Sequence, residues 1–121
     1  ELQLISLLAP TTDDSRLALA CAHAQGYLYY VSMAGVTGKD LAQSGDLTLR
    51  VGAIRAAAPV PVYVGFGIKD AASAKACAAY ADGVIVGSAL VSVLADCDTP
   101  EQAATAATAF LQPIRAALDG V

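Results

Sequence analysis

The chain has 121 residues, enough for one domain with a modest core. Hydrophobic residues make up 56% and charged residues 15%, which excludes a disordered chain and is unusually apolar for an independent domain of this size. The net charge is −4 without any cluster of Lys or Arg, so we expect no nucleic-acid partner, and no apolar run reaches the roughly 18 residues of a membrane helix.

The first strand–helix unit occupies the N-terminal quarter of the chain. Residues 4–8 are apolar and predict a buried strand, and the hydroxyls of Thr11 and Thr12 could cap a helix that runs to about Ala24. Residues 27–32 predict a second strand. Their continuous apolar character is typical of a parallel strand that is covered on both faces.

The same alternation continues through the middle of the chain. A longer loop over residues 33–45 precedes a predicted helix over 46–58, which Asp46 could cap. A third strand is predicted over 60–64, a small alanine-rich helix over 70–81, and a fourth strand over 83–86.

Two helices are predicted after the fourth strand. Residues 88–95 form a short helix that begins at a Gly-Ser pair. Thr99 then offers a capping hydroxyl, with Pro100 at the first helical position and Gln102 at the third, which is a strong helix start. Pro113 lies inside this last helix and predicts a kink or break.

The sum is a β-strand followed by an α-helix, repeated four times, with the strands about 25 residues apart. Such alternation predicts an α/β fold with a parallel sheet and right-handed crossovers. Four strands cannot close a parallel barrel, which needs eight, and they would leave two open edges. We therefore predict that residues 1–121 are a single (βα)4 half-barrel, the C-terminal half of a (β/α)8 TIM barrel, completed by a missing N-terminal half-barrel or by a second copy of this chain.

Three glycine-centred segments each follow a predicted strand, namely residues 34–38, 65–68 and 87–89. In a parallel sheet these segments would lie at neighbouring strand ends. Glycine lets the backbone approach an oxyanion closely, and the free N–H groups of such loops can bind it. The three segments together predict a phosphate site.

The cysteines and the single histidine predict little chemistry. Cys21, Cys77 and Cys97 are an odd number without metal-ligand spacing, which indicates packed free thiols, a reducing cytoplasmic location and no metal site. His23 falls near the end of the first helix, where a histidine usually interacts with the helix dipole. One histidine also leaves no Ser-His-Asp triad.

The glycine segments and their neighbours resemble the tryptophan synthase α subunit. The resemblance is carried by Tyr-Tyr-Val-Ser-Met-Ala-Gly-Val-Thr-Gly at 29–38, Val-Gly-Phe-Gly-Ile at 64–68 and Ala-Asp-Gly-Val-Ile-Val-Gly-Ser-Ala at 81–89, with further likeness at 7–12 and 110–114. It covers the whole chain and matches roughly the last half of the family's domain.

This resemblance implies a lyase of tryptophan biosynthesis. The family cleaves indole-3-glycerol phosphate to indole and glyceraldehyde 3-phosphate, a retro-aldol step without a metal or cofactor. Indole then passes to a β subunit that carries pyridoxal phosphate, in an α2β2 complex.

The resemblance also assigns roles to individual residues. The phosphate would lie against the backbone of six residues, with the Ser88 hydroxyl and the positive end of the following helix adding to it: Gly38, Gly65, Phe66, Gly67, Gly87 and Ser88. Thr37 corresponds to a threonine of a mobile loop, Tyr29 to a tyrosine near the substrate, and Phe66 lies beside the substrate tail. For Tyr29 and Phe66, plain packing stays an open alternative. Residues 37–44 suit a lid that excludes water.

The family's catalytic glutamate and aspartate come from its N-terminal half, and this chain contains neither position. The carboxylates that it does have fall on helix starts, loops and the tail, where caps and solvated charges are usual. We therefore expect no catalytic residue in this chain and no activity of the chain alone.

Two further hypotheses stay open from the residues. The chain could be a non-catalytic half-barrel that binds phosphate or assembles with itself. It could also belong to another phosphate-handling barrel enzyme, such as indole-3-glycerol phosphate synthase or a thiamine phosphate synthase.

Overall fold

The computed structural model of the chain describes residues 1–31, 45–65 and 67–120. In chain order, these residues form the elements β1 (Ser6–Leu8), α1 (Asp14–Ala22), β2 (Leu28–Tyr30), α2 (Gly45–Ala57), β3 (Val62–Val64), α3 (Ala71–Ala78), β4 (Gly83–Val84), α4 (Ser88–Ala95) and α5 (Pro100–Asp119). Every strand is followed by a helix, as the sequence predicts.

The four strands form one parallel sheet in the order β1-β2-β3-β4. This arrangement confirms the predicted α/β fold of four βα units. Strands β1 and β3 begin later than predicted, because Leu4 donates its N–H to the side chain of Gln25 instead of to a neighbouring strand and Pro61 has no N–H to donate. Single bonds from Val31 and Ile85 still extend the pairing beyond the strand ends.

The helix starts follow the capping chemistry of the sequence, with one correction. Asp13, not Thr11 or Thr12, caps α1, since its carboxylate accepts the N–H of Arg16 at 2.8 Å. The Thr12 hydroxyl instead accepts the N–H of Ala9 at 2.9 Å within the preceding loop. Asp46 also falls inside α2 rather than before it, because that helix begins at Gly45.

The predicted cap at Thr99 is present, and Asp70, where a helix was predicted to begin, is also a cap. Asp70 forms a capping box with Ser73 at the start of α3, and Thr99 accepts the N–H of Gln102 at the start of α5.

Helix α5 runs without a break through Pro113, which corrects the prediction of an interruption there. A proline inside a helix costs about 3 kcal/mol, because it removes one hydrogen bond and crowds the preceding turn. Packing offsets that cost: Ile114 is buried, and Phe110 and Leu118 pack against the core on the same side of the helix.

The core lies between the helices and one face of the sheet. Leu28, Tyr30, Val62 and Val64 are buried there against apolar side chains of α2 and α3. Cys77 belongs to this core, as predicted for a packed thiol, and Cys21 packs at its border.

The opposite face of the sheet carries Leu7, Tyr29, Tyr63 and Gly83, which the strand register aligns in one row. Leu7 is 65% exposed, whereas its neighbour Leu8 is 2% exposed. Such an open apolar face is what half of a parallel barrel must present, because this face lines the interior of the closed barrel.

A charged clamp joins α2 to the amino ends of β3 and β4. Arg55 donates one bond to the Asp82 carboxylate at 2.6 Å and another to the Tyr80 carbonyl at 3.3 Å. The second oxygen of Asp82 accepts the N–H of Val62 at 2.9 Å. Partial burial raises the pKa of Asp82, but the bonds from Val62 and Arg55 outweigh it and hold the pKa below its ordinary value.

Replacing Asp82 with asparagine is expected to lower the free energy of unfolding at pH 7 by about 1–2 kcal/mol, because Arg55 loses its anion. The folded-state pKa of Asp82 is depressed, so its contribution is present above the unfolded value near 3.9 and is lost as the pH falls through the folded value. Urea unfolding of both proteins at pH 7 and pH 3 measures this difference. Asp96→Asn, at an exposed position, is the control. If Asp82→Asn lowers the free energy of unfolding equally at pH 7 and pH 3, the proposed contribution of the ionised Asp82 to the clamp is contradicted.

Among the described residues, none of the helices combines the length and the apolar character that crossing a membrane requires.

Candidate functional site

The carboxyl ends of the parallel strands meet at one edge of the sheet. Gly65 follows β3 directly, and Gly87 and Ser88 lie between β4 and α4 at the same edge. The loop that joins β1 to α1 begins there as well. Ligands of parallel α/β folds bind at this edge, because the loops and the helix N-termini converge on it.

The structure describes part of the predicted site. Thr37, Gly38 and Phe66, and the predicted lid over residues 37–44, lie outside the described residues. The remaining candidates are described at the carboxyl edge of the sheet: Tyr29, Gly65, Gly67, Gly87 and Ser88.

Gly65 is buried beneath the side chain of Tyr29. A Cβ atom added at Gly65 would lie 2.3 Å from Cε2 and 2.5 Å from the hydroxyl oxygen of Tyr29. The N–H of Gly65 donates to the carbonyl of Tyr30 at 3.0 Å, which fixes the backbone of Gly65 beside β2. The absence of a side chain at Gly65 therefore lets the Tyr29 ring lie across the end of β3.

A similar pair lies one strand further along the sheet. The ring of Tyr63 covers Gly83, where an added Cβ would lie 2.8 Å from two ring carbons, and Tyr27 stacks on Tyr63 with ring centroids 4.6 Å apart. Neither Tyr63 nor Gly83 is among the residues that the sequence predicts for the site. The sequence contained a signal for this pair: Tyr27 and Tyr29 are two residues apart in a predicted strand, so they lie on the same face of the sheet, and Tyr63 lies in the next predicted strand.

Gly67 needs glycine for its backbone conformation. Its φ angle is +58°, in the left-handed region that other L-residues rarely adopt, and it is exposed. An added Cβ would have no described atom within 4 Å. Among the described residues, no atom therefore blocks the approach of a ligand to Gly67.

Helix α4 begins at this edge, and its first N–H groups receive no side-chain cap from the part of the chain that the structure describes. Gly87 occupies the N-cap position, and no side chain among the described residues caps the helix there. Ser88, the first helical residue, is exposed. The first N–H groups of a helix and its dipole favour an anion, so this end of α4 can bind a phosphate with the Ser88 hydroxyl close by.

The carboxylates with shifted pKa values are engaged in structural hydrogen bonds. Hydrogen bonds from the N–H groups of Arg16 and Ser73 lower the pKa of Asp13 and Asp70, the caps of α1 and α3. A bond from Arg115 lowers the pKa of Asp119 at the end of α5. Each of these groups is ionised at neutral pH and is bonded in a helix cap or an ion pair, so none is poised to donate a proton.

His23 is exposed at the C-cap of α1, as its position in the sequence predicts. Across residues 1–31, 45–65 and 67–120, no group of three His, Cys, Asp or Glu side chains is arranged to hold a metal ion. The three cysteines are free thiols.

Comparison with known proteins gives a consistent result. A family model described as tryptophan synthase alpha chain matches residues 1–119. Tryptophan synthase alpha chains of Xylella fastidiosa and Xanthomonas oryzae pv. oryzae are each 55% identical, over 120 and 119 residues, which is 99% and 98% of this chain. The chain spans about half the length of these curated relatives, 45% and 44% respectively.

Solved structures agree with the sequence comparison. The tryptophan synthase alpha subunit of Legionella pneumophila superposes with a TM-score of 0.76 at 36% identity, covering 97% of this chain and 42% of that one. The alpha subunit of Campylobacter jejuni gives 0.75 at 29% identity, covering 93% and 44%. These neighbours are TIM barrels, and this chain matches their C-terminal part, which confirms the predicted fold class, an α/β arrangement of parallel strands related to the C-terminal half of such a barrel.

Proposed function

The chain belongs to the tryptophan synthase alpha chain family, and on this basis we propose that it supplies the substrate-binding half of an enzyme that cleaves indole-3-glycerol phosphate. The products are indole and glyceraldehyde 3-phosphate. One observation of the structure carries the proposal: helix α4 starts at the carboxyl edge of the sheet with its first turn uncapped by any described side chain and with Gly87 and Ser88 at its tip.

In this proposal the chain binds and orients the substrate through its phosphate. The N–H groups after Gly87 and the dipole of α4 attract the anion, and the Ser88 hydroxyl donates to it. The open backbone at Gly67 allows close approach from the β3 loop. Tyr29, which lies over Gly65, forms a wall beside the phosphate and leaves the rest of the substrate to extend over the open sheet face.

The proton transfers belong to the other half of the barrel. Retro-aldol cleavage requires an acid to protonate the indole ring and a base to take the proton of the C3′ hydroxyl. The family resemblance assigns this role to a glutamate and an aspartate outside the chain. Because the described carboxylates with shifted pKa values serve as caps and clamps, the chain alone is expected to bind the phosphate without cleaving the substrate.

The wider setting is also part of the proposal. The reaction would need no metal or cofactor from this chain, and the indole would pass to a β subunit that holds pyridoxal phosphate. The three free thiols are in keeping with a reducing cytoplasmic location.

A second candidate, a half-barrel that assembles with a second copy of itself, is favoured by the exposed side of the sheet. Leu7 on that face is 65% exposed, and β1 and β4 are both edge strands. Light scattering of the 121-residue chain tests this candidate: a dimer supports it, and a folded monomer contradicts it.

Cleavage activity is tested with a chimera in which this chain replaces the matching C-terminal 45% of the Xylella fastidiosa relative. We expect the chimera to release indole from indole-3-glycerol phosphate at a rate within about tenfold of the relative, because the fold and the proposed phosphate site are retained. The unmodified relative is the control. A folded chimera that binds no substrate contradicts the proposed function.

A further inference from the structure

The loop that joins β1 to α1 lies beside the proposed substrate site. It begins at Ala9, directly after the β1 residue Leu8, whose carbonyl accepts the N–H of Val31 at 2.8 Å. Leu7 in β1 pairs with Tyr29 in β2. The loop is therefore the neighbour of the tyrosine that lies across the end of β3.

The loop closes on itself around Thr12. The N–H of Thr12 donates to the Ala9 carbonyl at 2.9 Å, and the Thr12 hydroxyl accepts the N–H of Ala9 at 2.9 Å. The carbonyl of Thr12 does not belong to the hydrogen bonds of α1, because the first carbonyl that accepts a bond in this helix is that of Asp13. These local bonds shape the turn, but they do not fix its position relative to the rest of the sheet edge.

Arg50 of α2 provides a link from outside the loop. Its Nη2 donates to the Thr12 carbonyl at 2.5 Å, and its Nη1 lies 3.5 Å from the Asp14 carboxylate. The Asp14 side chain is 96% exposed, which makes the ion pair weak, whereas the Arg50 side chain is 30% exposed. The bond to the carbonyl is charge-assisted and short, so it is the stronger of the two.

We propose that Arg50 is a positioning residue that holds the β1–α1 loop as one wall of the substrate pocket. This inference rests on the proposed function, because the pocket is the one assigned there. Loss of the Arg50 bond would free the loop beside Tyr29 and weaken substrate binding. The chemical step would change less, since the acid and base lie in the other half of the barrel.

Helix α2 itself supplies a matched control. Arg55, five residues later, makes comparable bonds to the Tyr80 carbonyl and to Asp82, but at the amino edge of the sheet. In parallel βα folds that edge contributes to stability and the carboxyl edge to ligand binding. Removing either guanidinium therefore removes the hydrogen bonds that tie α2 to one other segment of the chain, but only the loss of Arg50 affects the substrate pocket.

The test compares Arg50→Met, Arg50→Lys, Arg55→Met and Asp14→Asn in the chimera. We expect Arg50→Met to raise KM for indole-3-glycerol phosphate about tenfold with less than a threefold change in kcat. Arg50→Lys, which retains one donor, is expected to raise KM about threefold. Arg55→Met and Asp14→Asn leave KM unchanged. The proposal is overturned if the KM of Arg50→Met stays within twofold of the parent, or if the KM of Arg55→Met rises by the same factor as that of Arg50→Met. If Arg50→Met does not fold, an unchanged KM in Arg50→Lys overturns the proposal.

A second measurement separates this inference from the proposed function. Amide hydrogen exchange of residues 9–14 is expected to speed up at least tenfold in Arg50→Met and to stay unchanged in Arg55→Met. Equal exchange in the two variants overturns the positioning role even where the parent is active. An inactive parent whose loop exchanges faster in Arg50→Met contradicts the proposed function and leaves Arg50 as the residue that holds the loop.

Discussion

Replacing Gly65 with alanine is expected to reduce substrate affinity at least tenfold and to lower the free energy of unfolding by about 1–3 kcal/mol. The new Cβ would lie 2.3–2.7 Å from the ring and hydroxyl of Tyr29, well inside van der Waals contact. Either the ring or the backbone at the end of β3 must move. Both changes alter the wall of the proposed phosphate site, so binding and stability fall together.

A double-mutant cycle separates this contact from a general effect of alanine. In a Tyr29→Ala background, the Cβ added by Gly65→Ala no longer meets the tyrosine ring. The loss of unfolding free energy caused by Gly65→Ala, measured in urea, is therefore expected to drop below about 0.5 kcal/mol. Gly52→Ala is the matched control, because an added Cβ there meets no described atom within 4 Å in the middle of α2. That change is expected to stabilise the protein by about 0.5–1 kcal/mol. Additive costs of Tyr29→Ala and Gly65→Ala contradict the steric explanation.

The fold could be predicted because its signals are local and repeated. Apolar runs separated by helix starts identify each βα unit, and Thr99 makes the capping hydrogen bond that its position in the sequence indicates. Where the prediction was wrong, several residues competed for one role. Thr11, Thr12 and Asp13 could each cap α1, and the loop hydrogen bond between Thr12 and Ala9 decided in favour of Asp13.

The prediction at Pro113 was wrong for a different reason. The local rule predicts a break in α5, but the helix continues because Ile114 and Phe110 pack on the core from the same side. A tertiary contact of this kind cannot be read from the local sequence, since the packing partners lie in other elements.

The positions of the candidate site residues in the fold were predictable from the sequence, whereas their contacts were less so. Glycines after strand ends place Gly65 and Gly87 at the carboxyl edge of the sheet from the sequence alone. The contact between Tyr29 and Gly65 depends on the register of β2 against β3, and the Arg50 bond to Thr12 joins residues 38 positions apart. Neither distance follows from spacing along the chain.

Replacing Ser88 with aspartate is expected to abolish phosphate binding while leaving the protein folded. A carboxylate in the first turn of α4 interacts favourably with the helix dipole, so stability should stay unchanged or rise slightly. The same carboxylate would repel a phosphate at the helix tip and replace the hydroxyl donor, and we expect at least a hundredfold loss of affinity. Isothermal titration of the chimera with indole-3-glycerol phosphate, together with a urea unfolding curve, measures both effects.

Ser92→Asp is the matched control for this prediction. Ser92 is exposed on the same helix, one turn beyond Ser88, so the added charge is similar but lies away from the free N–H groups. We expect its affinity to fall less than fivefold, with a modest loss of stability because a mid-helix aspartate has a low helix propensity. Equal losses of affinity in the two variants would show that long-range repulsion, and not occupation of the helix tip, weakens binding. A large loss in Ser88→Asp alone would place the phosphate at the first turn of α4, whose backbone donors no described side chain caps.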